Sequence, residues 1–258
     1  LALGTHRGCA ILRSCARWTP AQDQTTADGA AGLTRNLAIA TAGESARPFT
    51  LRAMLVVHDL QARRGRRELF SGLGFEARPG QLLRVTGANG AGKTTLLRML
   101  VGLGTPTAGR VTWRGQPIAA QREEYHREMV WCGHAASLKD DLTAIENLRA
   151  AEMLAGDRLA AADAKRALAD AGLAGREQLP ARSLSAGQRR RVVLARLTLA
   201  GRRPLWVLDE PFNTLDVAAT QWLTGLLVRH LEAQGIVVLT SHQAIPIDDA
   251  AQAVTVAL

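Results

Sequence analysis

The sequence predicts an α/β protein with a largely parallel sheet, and three observations carry that prediction. The runs Leu205–Leu208 and Ile236–Leu239 are continuously apolar, as strands covered on both faces must be. From Met54 onward, strand-like runs alternate with helical ones, the pattern of helices packed on a sheet. The stretch "GANGAGKTT", Gly87–Thr95, leaves an apolar strand and opens a helix through a glycine-rich turn.

Taken in order, "MLVVHDL" and "ELFSGLGFEA" predict antiparallel strands, and "GQLLRVTG" predicts a buried strand leading into the glycine turn. "KTTLLRMLVGL" is a helix, and "GRVTWRG" and "EMVWCG" are further strands. From Leu142 to about Ser183 the chain is Ala/Leu-rich and reads as helical, opened by a capping box of Thr143 and Glu146. "SAGQRRRVVLARLTLA" predicts another helix, "PLWVLDE" a strand, and a helix follows from about Val217. The strands "GIVVLTS" and "AVTVAL" close the chain, and no internal repeat is evident.

The 258 residues, 47% apolar and 21% charged, suffice for a sizeable core in one large domain or two small ones. No apolar run reaches the about 18 residues of a membrane-spanning helix. The net charge of +9, carried almost wholly by arginine, suits a nucleotide, a nucleic acid or an acidic membrane surface, or marks an Arg-rich soluble protein. Cys9, Cys15 and Cys132 form no metal spacing and leave an odd thiol, which fits a reducing compartment. Residues 1–53 hold six Arg, no Lys and three acids, without sustained periodicity. That extension reads best as sequence upstream of a true start at Met54, with a transit peptide or a disordered tail as alternatives.

Three segments carry chemistry. In the phosphate-loop pattern, Gly87, Gly90 and Gly92 let backbone N–H groups approach phosphate oxygens, with Ala88, Asn89 and Ala91 between them. The helix N-terminus adds partial positive charge. Lys93 would reach the β- and γ-phosphates and the Thr94 hydroxyl would hold Mg²⁺, with Thr95 completing the turn. In "PLWVLDEPFNTLD" a buried strand ends in Asp209-Glu210, which is costly unless something positive or polar answers both acids. A Mg²⁺–nucleotide complex would: Asp209 supports the metal and Glu210 polarises the water that attacks the γ-phosphate. In "LSAGQRRR", Ser185 and Gln188 make a capping box, which leaves Gly187 unexplained at about 1 kcal/mol against Ala. A helix start that receives an anion would explain Gly187 and give Arg189–Arg191 a partner; a solvated arginine face is the other reading.

In order along the chain, "GANGAGKT", "LSAGQ", "LWVLDEP", "NTLD" and "TSH" resemble the ATP-binding cassette (ABC) family from about Val56 to the C-terminus. The resemblance implies a P-loop NTPase of the ABC ATPase type spanning residues 54–258. Such a domain has a mixed sheet core, an antiparallel β subdomain and a helical subdomain at about 142–184. It implies a dimer in which two ATP molecules lie between the phosphate loop of one copy and the Ser185–Gln188 segment of the other. Asp216 would communicate across that interface and His242 would contact the γ-phosphate.

Two places depart from the family pattern. Ala135 stands where the family keeps a glutamine that touches Mg²⁺ and the attacking water, which predicts slower or less tightly coupled hydrolysis. His134 could offer an imidazole instead, although a ring one position earlier on a strand points elsewhere. The place of the aromatic that stacks on adenine falls on Arg64, whose guanidinium plane can also stack, or which is simply part of a basic hairpin tip.

The stretch Leu69–Leu103, together with "GHAASLKDDLTAIENL" and "LSAGQRRRVVLARL", looks like the ATP-binding subunits of haem exporters in bacterial cytochrome c maturation (CcmA type). That resemblance implies integral membrane transporter subunits as partners and a peripheral position on the cytoplasmic face of the inner membrane. An ATPase of another exporter, for drugs or lipids, is the first alternative. A nucleotide-gated subunit with little hydrolysis is another. Soluble ABC ATPases of ribosomes or DNA tend to carry two cassettes or long coiled-coil insertions. Here one cassette holds only about 40 residues between Leu142 and Ser183, so no nucleic acid partner is expected.

Overall fold

A computed structural model describes residues 54–201, 203–241, 247 and 252–258. Two sheets carry the fold. Strands β1 (Leu55–Arg64), β2 (Arg67–Ala77), β4 (Ala108–Trp113) and β5 (Gln116–Pro117) form an antiparallel sheet in the order β2-β1-β4-β5. Strands β3 (Gln81–Thr86), β6 (Met129–Cys132), β7 (Leu205–Leu208), β8 (Ile236–Thr240) and β9 (Gln252–Ala257) form a parallel sheet in the order β6-β7-β8-β3-β9. The expected mixture of strand directions is thus divided cleanly between two sheets. Every residue of β7 and β8 is buried, as their unbroken apolar runs require.

The sheets and helices enclose three apolar clusters. One lies around helix α1 (Lys93–Leu100) and includes Leu55, Phe75, Leu96, Leu97, Leu100 and Val238. The second, on the side of α7 (Val217–Glu232), joins Val130, Trp206, Leu208, Leu223, Leu227 and Leu239. The third is the helical lobe's own core, with Ile145, Leu148, Ala164 and Leu168 packed towards Leu184 and Val192. Among the described residues, no helix is long and apolar enough to cross a membrane.

The long helical stretch expected from Leu142 to about Ser183 divides into α3 (Ala144–Leu154), α4 (Ala161–Asp170) and a single 3₁₀ turn at Ala181–Ser183. Gly156 and Gly172, each at positive φ just past a C-cap, stop the two helices where an alanine-rich pattern would let them run on. The Thr143–Glu146 capping box forms with both of its bonds. The helix beginning at Ser185 turns at Ala195, giving α5 (Ala186–Leu194) and the short α6 (Arg196–Leu199). The short α2 (Arg122–Arg127) and β5 were not anticipated, because neither is long enough to show a period.

Candidate nucleotide site

In-register pairing of the parallel strands brings the candidate residues to one edge of the sheet. Cys132 pairs with Leu208, Leu208 with Leu239, and Val85 with Thr240. The residues that follow are therefore level: Gly133 after β6, Asp209 after β7 beside Thr240 on β8, and Gly87 after β3. In open parallel sheets this carboxyl edge is where ligands bind.

Gly92 is the N-cap of α1 at φ 112°, a conformation closed to most L side chains. A Cβ there would also stand 3.2 Å from Leu69 and from the Phe70 ring, so β2 supports the loop from beneath. No side chain caps α1 and no acid lies in its first turn, so the positive helix end is open to an anion. Ala88, Asn89 and Gly90 form the exposed crown of the loop, and Ala91 and Thr95 are half-buried. Lys93 is buried, and its Nζ donates to the carbonyls of Gly87 at 2.8 Å and Ala88 at 3.2 Å. The ammonium is thereby folded back along the loop it would serve.

Thr94 Oγ1 donates to Asp209 Oδ2 at 2.8 Å, which joins the phosphate loop to the end of β7. Asp209, 1% exposed, is bonded at its other oxygen by Thr240 Oγ1 at 2.7 Å. The same hydroxyl accepts the Glu210 backbone N–H at 2.8 Å. Thr240 thus aligns both acids, although the sequence marked it only as the first residue of "TSH" at the end of a buried strand. Glu210 has φ 48°, a strained value for a residue with a side chain and one that clusters at functional turns. Thr94 and Asp209 set two hard oxygen atoms side by side, a donor set that fits Mg²⁺.

The sequence pattern of ABC transporters matches residues 70–213. The chain belongs to the ABC transporter family. The cassette is 49% identical over 194 residues to the cytochrome c biogenesis ATP-binding export protein CcmA of Dechloromonas aromatica (strain RCB), covering 75% of this chain and 95% of that protein. It is 50% identical over 190 residues to the protein of that description from Escherichia coli (strain K12), covering 74% and 89%. Among solved structures it is similar to an ATP-binding subunit of an ABC transporter, with a TM-score of 0.69 and 26% identity, covering 79% and 85% of the two chains. A dimeric ATP-binding cassette bound to ADP and Pi shares the fold, with a TM-score of 0.64 at 22% identity and coverage of 74% and 88%. The cassette is an ATPase of the ABC type, with an ATP/ADP site.

In the cassette, Ser185 and Gln188 bond to each other as a capping box at the start of α5. At Gly187 a Cβ would stand 2.5 Å from the Thr214 carbonyl oxygen, so the packing of α5 on that segment itself calls for glycine. Each arginine of the run has a partner within the chain. Arg189 donates to Asp140 at 2.6 Å, and Arg191 lies 3.4 Å from Asp216. Arg190, 4% exposed, donates to the carbonyls of Gly133 at 2.6 Å and Asp209 at 2.7 Å. Burial pulls its pKa below the usual arginine range, and the nearby acidic groups oppose that pull. Asp216 also caps α7, accepting the Ala219 N–H at 2.8 Å.

His134 requires a correction. Strand β6 ends at Cys132, so His134 lies in the following bend and does not obey strand alternation. Its Nδ1 stands 3.4 Å from Glu210 Oε2. Arg64 pairs with Arg67 across a tight hairpin turn, where Arg63, Arg64, Arg66 and Arg67 are all exposed. His242 lies outside the described residues.

Proposed function

We propose that the chain is the ATP-hydrolysing subunit of an export complex in cytochrome c biogenesis, coupling hydrolysis to the export of haem or its delivery to a haem chaperone. The observation that carries this reading is identity of about half over three-quarters of the chain to export proteins of cytochrome c biogenesis.

In this reading the cassette works as a dimer with a second copy of itself, docked on integral membrane subunits at the cytoplasmic face of the bacterial inner membrane. The domain spans residues 54–258, with residues 142–184 as its helical part. Gly87–Thr95 and Lys93 hold the triphosphate, and the partner copy's Ser185–Gln188 segment closes over it. Thr94, and Asp209 through water, would hold Mg²⁺, which would supply positive charge to neutralise the phosphates. Glu210 accepts a proton from the water that attacks the γ-phosphorus. The bond to the bridging oxygen breaks, and ADP and phosphate leave. His242 contacts the γ-phosphate, and Asp216 links the two sites of the dimer.

Glu210→Gln in a cell that depends on this gene tests the reading. The variant is expected to retain ATP as a stable dimer and to abolish covalent haem attachment to c-type cytochromes, read by haem staining. Normal haem attachment would remove the haem assignment and leave the ATPase standing.

A further inference from the structure

We propose that His134 is a positioning residue for hydrolysis, its imidazole holding the Glu210 carboxylate in line for the attacking water. The inference rests on the role given to Glu210 above and assigns a partner to it.

Three observations converge on the pair. His134 Nδ1 and Glu210 Oε2 are 3.4 Å apart, just beyond hydrogen-bond length. Catalytic bonds in ligand-free enzymes are often long and tighten when substrate is bound. The two side chains differ in burial, 64% exposed for His134 and 16% for Glu210, so the histidine reaches inward from the rim. The backbone beneath them is fixed by one side chain. Arg190 donates to the carbonyls of Gly133 and Asp209, the residues immediately before His134 and Glu210. A single planar guanidinium therefore sets the spacing of the two segments.

Glu210 is pinned at its backbone by Thr240, while Asn213 Nδ2 donates to the same Oε2 that faces His134. His134 and Asn213 thus approach that oxygen from two different loops. The two residues after His134, Ala135 and Ala136, have no polar side-chain group to offer. With a proton on Nδ1, the imidazole donates to Oε2 and restricts rotation of the carboxylate.

The test uses the full chain assembled with its membrane subunits and measures steady-state ATP hydrolysis. His134→Ala is expected to lower kcat about tenfold, in the range of other orienting partners. KM for Mg²⁺–ATP should stay within about twofold, because His134 makes no ground-state contact with nucleotide in this scheme. His134→Asn, whose amide Nδ2 can take the place of ring Nδ1, should recover most of the loss. A kcat for His134→Ala within about twofold of the parent overturns the proposal, as does a matching loss in kcat and rise in KM. Should the alanine variant melt at a lower temperature, the asparagine variant decides: recovery supports the proposal and no recovery overturns it. Glu210→Gln serves as the reference. Parental turnover in that variant would remove the role of Glu210 itself, whereas an inactive Glu210→Gln beside a silent His134→Ala would remove only this inference.

Discussion

A single hydroxyl, on Thr240, bonds both acids that close the phosphate site. It donates to Asp209 Oδ1 and accepts the Glu210 N–H. Thr240→Val keeps the shape and removes both bonds, leaving a part-buried N–H and a buried carboxylate short of a partner. The cost is expected at about 1–3 kcal/mol, read from urea midpoints, with a marked loss of turnover. Thr240→Ser, which retains the hydroxyl, should keep most of both. At this scale legibility was uneven for a physical reason. Lys93, Thr94 and Asp209 sit in patterns whose spacing is itself the chemistry. Thr240 matters only because the register of β8 against β7 sets it beside Asp209. Local sequence carries no trace of that register.

Among the elements, α5 explains most about how the site is held. Gly187 faces the Thr214 carbonyl, Arg190 the ends of β6 and β7, and Arg191 the cap of α7. The helix is therefore fastened along one side to the segment that carries Glu210. Replacing Gly187 by Ala would gain about 1 kcal/mol of helix propensity. A Cβ 2.5 Å from a backbone oxygen cannot be relieved by rotating a side chain, and such overpacking costs about 1–3 kcal/mol. The clash prevails: Gly187→Ala is expected to lower the thermal midpoint and the ATPase rate together. The sequence showed that Gly187 and the arginines needed a reason, and the fold supplies one inside the chain. The partners are carbonyls and carboxylates distant in sequence, which only the packed fold brings near.

For the whole molecule, stability is linked to acidity through His230. Its ring stacks on Trp206 with centroids 3.7 Å apart and planes 7° apart, and burial pushes its pKa down to about 4. Between pH 6.5 and about 4 the unfolded chain therefore binds more protons than the folded one, and stability falls as the pH drops through that window. Allowing for partial exposure, the loss is about 1–2 kcal/mol. His230→Phe keeps the stack and removes the titration. Its denaturation midpoint should change less between pH 7 and pH 5 than that of the parent. Glu68, Glu146 and Glu177, held below their ordinary 4.5 by hydrogen bonds, add their own losses only at lower pH.

The sequence by itself determined the strand–helix alternation, the unbroken apolar strands and the phosphate loop. Each is written in neighbouring residues, and elementary sterics and burial read it without further context. Only the tertiary structure decided which strands pair, that Arg190 is buried against Gly133 and Asp209, that Gly187 packs on Thr214, and that His134 leaves its strand in time to face Glu210. Those outcomes rest on contacts between residues far apart in the chain, and their geometry exists only once the sheet has assembled.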